Sequence, residues 1–131
     1  GGTPPVDYSN IVHVYQNATL KKQLFANFQV LLDLGIDGFD FDNEEFKGVV
    51  SLDRDIIQVI VDMAGTFDAM GATILTFAPY NAMSSWNKCL SDIYKTYRKQ
   101  LIDWWNLQCY GGGANNMAYI GSMWVDDIQQ K

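Results

Sequence analysis

The chain has 131 residues, 48% of them hydrophobic, with a formal net charge of −6 and a sequence pI near 4.4. That length and apolar content suffice for one hydrophobic core. The acidic balance, with no basic cluster larger than Lys21-Lys22 or Arg98-Lys99, argues against nucleic acid as a partner, and no apolar run reaches the ~20 residues that span a bilayer.

Leu20, Leu24, Phe28, Leu31 and Leu32 recur at helical spacing, and that helix is expected to stop at Gly35. A short strand follows over about Gly38–Asp42. Ser51 reads as the N-cap of a second helix with an apolar face of Ile56, Val59, Ile60, Met63 and Phe67, ended by Gly71. Ala72-Thr73-Ile74-Leu75-Thr76-Phe77-Ala78 is rich in strand formers and closed by Pro79. A third helix carries Leu90, Ile93, Tyr94, Tyr97 and Leu101. Trp105-Asn106-Leu107-Gln108-Cys109-Tyr110 reads as a further strand, with Trp104 and Trp105 as packing residues at its start and Gly111-Gly112-Gly113 as its stop. Cys89 and Cys109 are too few for a disulfide framework, and Cys109 is expected to be a small buried hydrophobe. Asn17-Ala18-Thr19 has the form of a glycosylation sequon, a triplet that also arises by chance.

Strands alternating with helices imply βαβ units and a parallel sheet. An open doubly wound sheet and a barrel share that rhythm. The polar residues favour the barrel. Asp40, Asp42 and Glu44 share one strand face, Thr76, Ala78 and Tyr80 another, and Asn106, Gln108 and Tyr110 a third. Such convergence at strand C-terminal ends suits the catalytic end of a barrel. A whole (β/α)8 TIM barrel takes about 250 residues. Residues 1–131 are therefore expected to form its central segment, about strands four to six with flanking helices. The chain opens on Gly1-Gly2 without an initiator Met or a signal-peptide pattern, so its first residues are expected to lie inside a longer protein.

The segment Gly35-Ile36-Asp37-Gly38-Phe39-Asp40-Phe41-Asp42-Asn43-Glu44 carries the chemistry. Read as a strand, it puts Asp40, Asp42 and Glu44 on one face and Phe39 and Phe41 on the other. Crowded carboxylates repel and lose hydration, a cost that a strand built only for stability avoids. Crowding also makes neighbours share a proton, so one acid can stay protonated near neutral pH while another stays ionised. That is a device for acid catalysis. A calcium loop fits poorly: counted from Asp40, the positions that need Gly and Glu hold Glu45 and Ser51.

Asp37-Gly38-Phe39-Asp40-Phe41-Asp42-Asn43-Glu44 resembles the Asp-Gly-x-Asp-x-Asp-x-Glu motif of glycoside hydrolase family 18, which holds chitinases and endo-β-N-acetylglucosaminidases. Leu75-Thr76-Phe77-Ala78-Pro79-Tyr80 looks like the fifth barrel strand of its class III branch, and Gln108-Cys109-Tyr110 is similar to that branch's Gln-x-Tyr on strand six. Gly111 stands where the branch has Asn. The resemblance implies substrate-assisted, retaining hydrolysis of β-1,4-linked N-acetylglucosamine in chitin or chitooligosaccharide, with no cofactor and no metal. Glu44 would be the acid, Asp42 would orient the acetamido group, and Asp40 would share a proton with Asp42. Tyr110 and Gln108 would bind substrate, and Tyr80 and Trp86 are candidates to stack on sugar rings. The resemblance also implies secretion. An endo-β-N-acetylglucosaminidase acting on N-glycans and a non-catalytic carbohydrate-binding relative are the alternatives, and the segment alone is expected to be inactive.

Overall fold

The computed structural model describes residues 6–48 and 50–108. They form an α/β unit in the order α1 (Asp7–Tyr15), α2 (Ala18–Asp33), β1 (Gly38–Phe41), α3 (Val50–Met70), β2 (Ile74–Phe77), α4 (Met83–Tyr97) and β3 (Trp104–Trp105). The sheet is parallel throughout, with order β1-β2-β3. Gly38 to Phe41 lie beside Ile74 to Phe77, and Thr76 and Phe77 lie beside Trp104 and Trp105. Pairing continues past the regular strands, since Ala78 N donates to Phe41 O at 2.9 Å and Gln108 N to Pro79 O at 3.1 Å.

Each strand contributes one apolar face to a common core. Phe39 stacks on Phe67 at 4.2 Å between ring centroids, Phe41 meets Phe77 edge-on at 5.7 Å, and Phe77 packs on Trp86 at 4.8 Å. The rings of α2, α3 and α4 thus close over this side of the sheet. Gly38 is fixed by proximity, because a Cβ there would sit 1.6 Å from the Ile74 carbonyl oxygen. Among the described residues, no helix is long and apolar enough to cross a membrane.

Several expectations need correcting. The first helix, α1, was not anticipated. Asn17 is the N-cap of α2, accepting from Thr19 N and Leu20 N at 3.0 and 3.1 Å, which gives the sequon's first residue a structural task. No residue of α2 is fully buried, and Leu20 and Leu31 are exposed, because chiefly Phe25 and Phe28 reach the core. Ser51 lies inside α3 rather than before it. The third expected helix stops at Tyr97, where Arg98 turns left-handed at φ +58°, so Leu101 belongs to the connector and Tyr94 faces solvent. The last strand starts at Trp104, which is 47% exposed rather than packed.

Candidate active site

The face of the sheet opposite the aromatic core is polar and wired across all three strands. Asp40 Oδ1 accepts from the Thr76 hydroxyl on β2 and from Asn106 Nδ2 beyond β3, the latter at 3.2 Å. Asn106 is held in turn by Trp104 Nε1, which donates to Asn106 Oδ1 at 3.0 Å. Asp42 Oδ1 accepts from Gln108 Nε2 at 2.9 Å, and the same amide nitrogen donates to the Ala78 carbonyl at 2.8 Å. Parallel register produces this arrangement: Asp40 lies beside Thr76, and Thr76 beside Trp104. Residues two apart then repeat the juxtaposition one step along the sheet.

Tyr8 of α1 stands close to both aspartates. Its phenol is buried, and burial first, then the negative charges of Asp42 and Asp40, push its ionisation well above the usual tyrosine range. A cavity of about 170 Å³ is lined from α1, α2, α3 and β1, with Tyr8, Phe39, Asp40, Phe41 and Asp42 among its walls.

Glu44 lies beyond the strand. β1 ends at Phe41, and 42–47 is irregular, which corrects the expectation of three acids on one strand. Burial nevertheless alternates through the segment. Phe41, Asn43 and Glu45 are buried, while Asp42 and Glu44 are half-buried. Asp40 and Asp42 are each hydrogen-bonded across the sheet and both line the cavity, whereas Glu44 is not among its walls.

Gln108, expected to bind substrate, donates its side-chain amide to Asp42 of the acid cluster. Tyr80 is half-buried just past the C-terminal end of β2. Trp86 requires correction: it is fully buried in the first turn of α4, edge-on to Phe46 at 5.1 Å and against Phe77, so its indole has no free face for a sugar. Tyr110, Cys109 and Gly111 lie outside the described residues, as do Gly1 and Gly2. Cys89 is a buried free thiol. Among the described residues, no group of three or more His, Cys, Asp or Glu side chains is placed to hold a metal ion.

Sequence reasoning put Thr76 and Asn106 on polar faces but did not count them in the site, and it missed Tyr8. The register supplies the first two, because Thr76 falls beside Asp40 once the strands are paired. Comparison with known protein families, curated proteins and solved structures gives no match.

Proposed function

We propose that this chain carries the acid cluster of a retaining glycoside hydrolase that cleaves β-1,4-linked N-acetylglucosamine with help from the substrate's own acetamido group. The observation that carries this reading is the cross-strand fixing of the two motif aspartates by Thr76, Asn106 and Gln108. A catalytic carboxylate has to be held in direction as well as present, and supporting hydrogen bonds do that.

In this reading Glu44 gives its proton to the glycosidic oxygen. The acetamido carbonyl attacks the anomeric carbon as the bond to the leaving sugar breaks, forming a cyclic oxazolinium ion. Asp42, hydrogen-bonded to Gln108, accepts from the acetamido N–H and stabilises the positive charge. Water then opens the ring with overall retention, and Glu44 recovers its proton. Asp40, tied to Thr76 and Asn106, supports Asp42 from one step back along the strand. Consecutive strands lying side by side in one parallel sheet are what part of a (β/α)8 barrel would contribute. We take the sheet as about the fourth to sixth strands of such a barrel.

The test is hydrolysis of chitooligosaccharides by the intact protein and by its Glu44→Gln variant. Turnover is expected to fall at least ~10²-fold in the variant while sugar binding persists. Near-normal turnover in Glu44→Gln, or a product of inverted configuration, would sink the proposal.

A further inference from the structure

The loop between β1 and α3 carries Glu44 without a regular hydrogen-bond ladder to hold it. A general acid has to stay within about 2.6–3.2 Å of the oxygen it protonates. Side chains therefore have to supply the rigidity that a strand would give.

Two carboxylates outside the four-acid motif hold this loop. Near its far end, Asp53 of α3 is buried and accepts from Lys47 N at 3.0 Å and Gly48 N at 3.1 Å, with the Ser85 hydroxyl of α4 donating to it as well. Directly beside Glu44 stands Glu45, also buried. Its Oε1 accepts from Tyr8 N at 2.6 Å and Ser9 N at 3.1 Å, and its Oε2 accepts from Ser9 N at 3.2 Å and from the Ser9 hydroxyl. Its own amide donates to Asn43 Oδ1 at 3.0 Å, which tightens the turn around Glu44.

The attachment suits both partners. Helix α1 has no local cap, since Val6 supplies no side-chain hydrogen bond, and the first amides of a helix need acceptors from elsewhere. A carboxylate there also meets the positive end of the helix dipole, and charge-assisted bonds are the strong ones. Asn43 and Glu45 are thus buried on either side of a half-buried Glu44.

We propose that Glu45 is a positioning residue for the proton donor: anchored to the first turn of α1, it sets the direction in which Glu44 leaves the loop. The inference rests on the assignment of Glu44 as the acid. Four variants of the intact protein test it together: Glu44→Gln, Glu45→Ala, Glu45→Gln and Ser9→Ala.

With rates normalised to folded protein, Glu45→Ala is expected to lower kcat about 10- to 100-fold while KM changes little, and to move the basic limb of the kcat–pH profile, because a misdirected acid loses proton transfer rather than sugar binding. Glu45→Gln keeps one acceptor for the Tyr8 amide and is expected to recover part of the loss. Ser9→Ala removes a single donor and is expected to cost severalfold. A merely structural Glu45 would lower melting temperature but leave kcat per folded molecule and the pH limb unchanged; that result overturns the proposal. Should Glu45→Ala fail to fold, Ser9→Ala decides, and unchanged kcat and pH limb there overturn it. Full activity in Glu45→Ala beside an inactive Glu44→Gln rejects the positioning role alone. Full activity in Glu44→Gln rejects the acid, and the role of Glu45 falls with it.

Discussion

The two faces of the sheet share a backbone and differ in almost everything their side chains do. On one, Phe39, Phe41 and Phe77 meet Phe28, Phe67 and Trp86, with centroids as close as 4.2 Å. Such pairs add about 0.5–1.5 kcal/mol each beyond the area they bury. On the other, Asp40 and Asp42 accept hydrogen bonds from side chains on or just past the neighbouring strands. A hydrogen bond of this kind contributes a net of only about 1.5–3 kcal/mol, while a buried polar group left unpaired costs a similar amount. The aromatic face therefore supplies stability. The polar face gives up some of it to hold two carboxylates in fixed directions. Period-two alternation keeps the two tasks apart, so damage to one face should register in unfolding and damage to the other in turnover.

That separation can be broken by experiment. The largest effect is expected on the aromatic side. Phe67, 1% exposed, touches Phe25, Phe28, Phe39 and Phe41, and Phe67→Ala should destabilise the fold by about 3–5 kcal/mol in denaturant unfolding. A loss under about 1 kcal/mol would mean that the ring cluster is not what holds the helices to the sheet.

On the polar side, Asp42→Asn should leave stability within about 1 kcal/mol while lowering kcat about 10²-fold. A rise in KM alone would make Asp42 a binding residue and break the assigned chemistry.

The smallest effect belongs to alkaline pH. Tyr8 and Tyr15 have their ionisation pushed up chiefly by burial, with the negative charges of Asp42 and Asp40 adding to it at Tyr8 and that of Asp62 adding at Tyr15. The folded chain then keeps protons that the unfolded chain releases. This stabilising contribution is complete below about pH 10 and is lost as pH climbs above it. Stability measured from about pH 9 to 12 should therefore fall less steeply in Tyr8→Phe than in the natural chain. Equal slopes would mean that the phenol titrates as freely as one in water.

Much of this was legible in the residues. The helix–strand alternation, the apolar stripe of α3 and the polar faces of three strands all follow from spacing, because burial on one side imposes a period. The stripe of α1 was equally present, since Tyr8, Ile11, Val12 and Tyr15 stand at helical intervals and all reach the core. Its β-branched residues disguised it. Its cap also comes from Glu45, 37 positions from Tyr8, beyond any local window. Trp86 has the same lesson in reverse: with Cys89, Leu90 and Ile93 it completes a buried helical stripe, which outweighs its place just after a strand. Glu44 lies beyond the last residue of β1, on a stretch where the Ala78 carbonyl accepts the Gln108 side-chain amide.

The cross-strand wiring has a consequence for how the chain can change over generations. Asp40 depends on Thr76 and Asn106, and Asp42 on Gln108, although the partners are 36 and 66 positions apart. Loss of an aspartate would remove an acceptor its donors use across the sheet, and loss of a donor would remove one of the carboxylate's hydrogen bonds. These positions should then drift together or not at all. The trace to look for in distant descendants is a discontinuous one: Asp-x-Asp, Thr-x-Ala and Asn-x-Gln, one pair at the C-terminal end of each strand, preserved in step while the helices between them diverge.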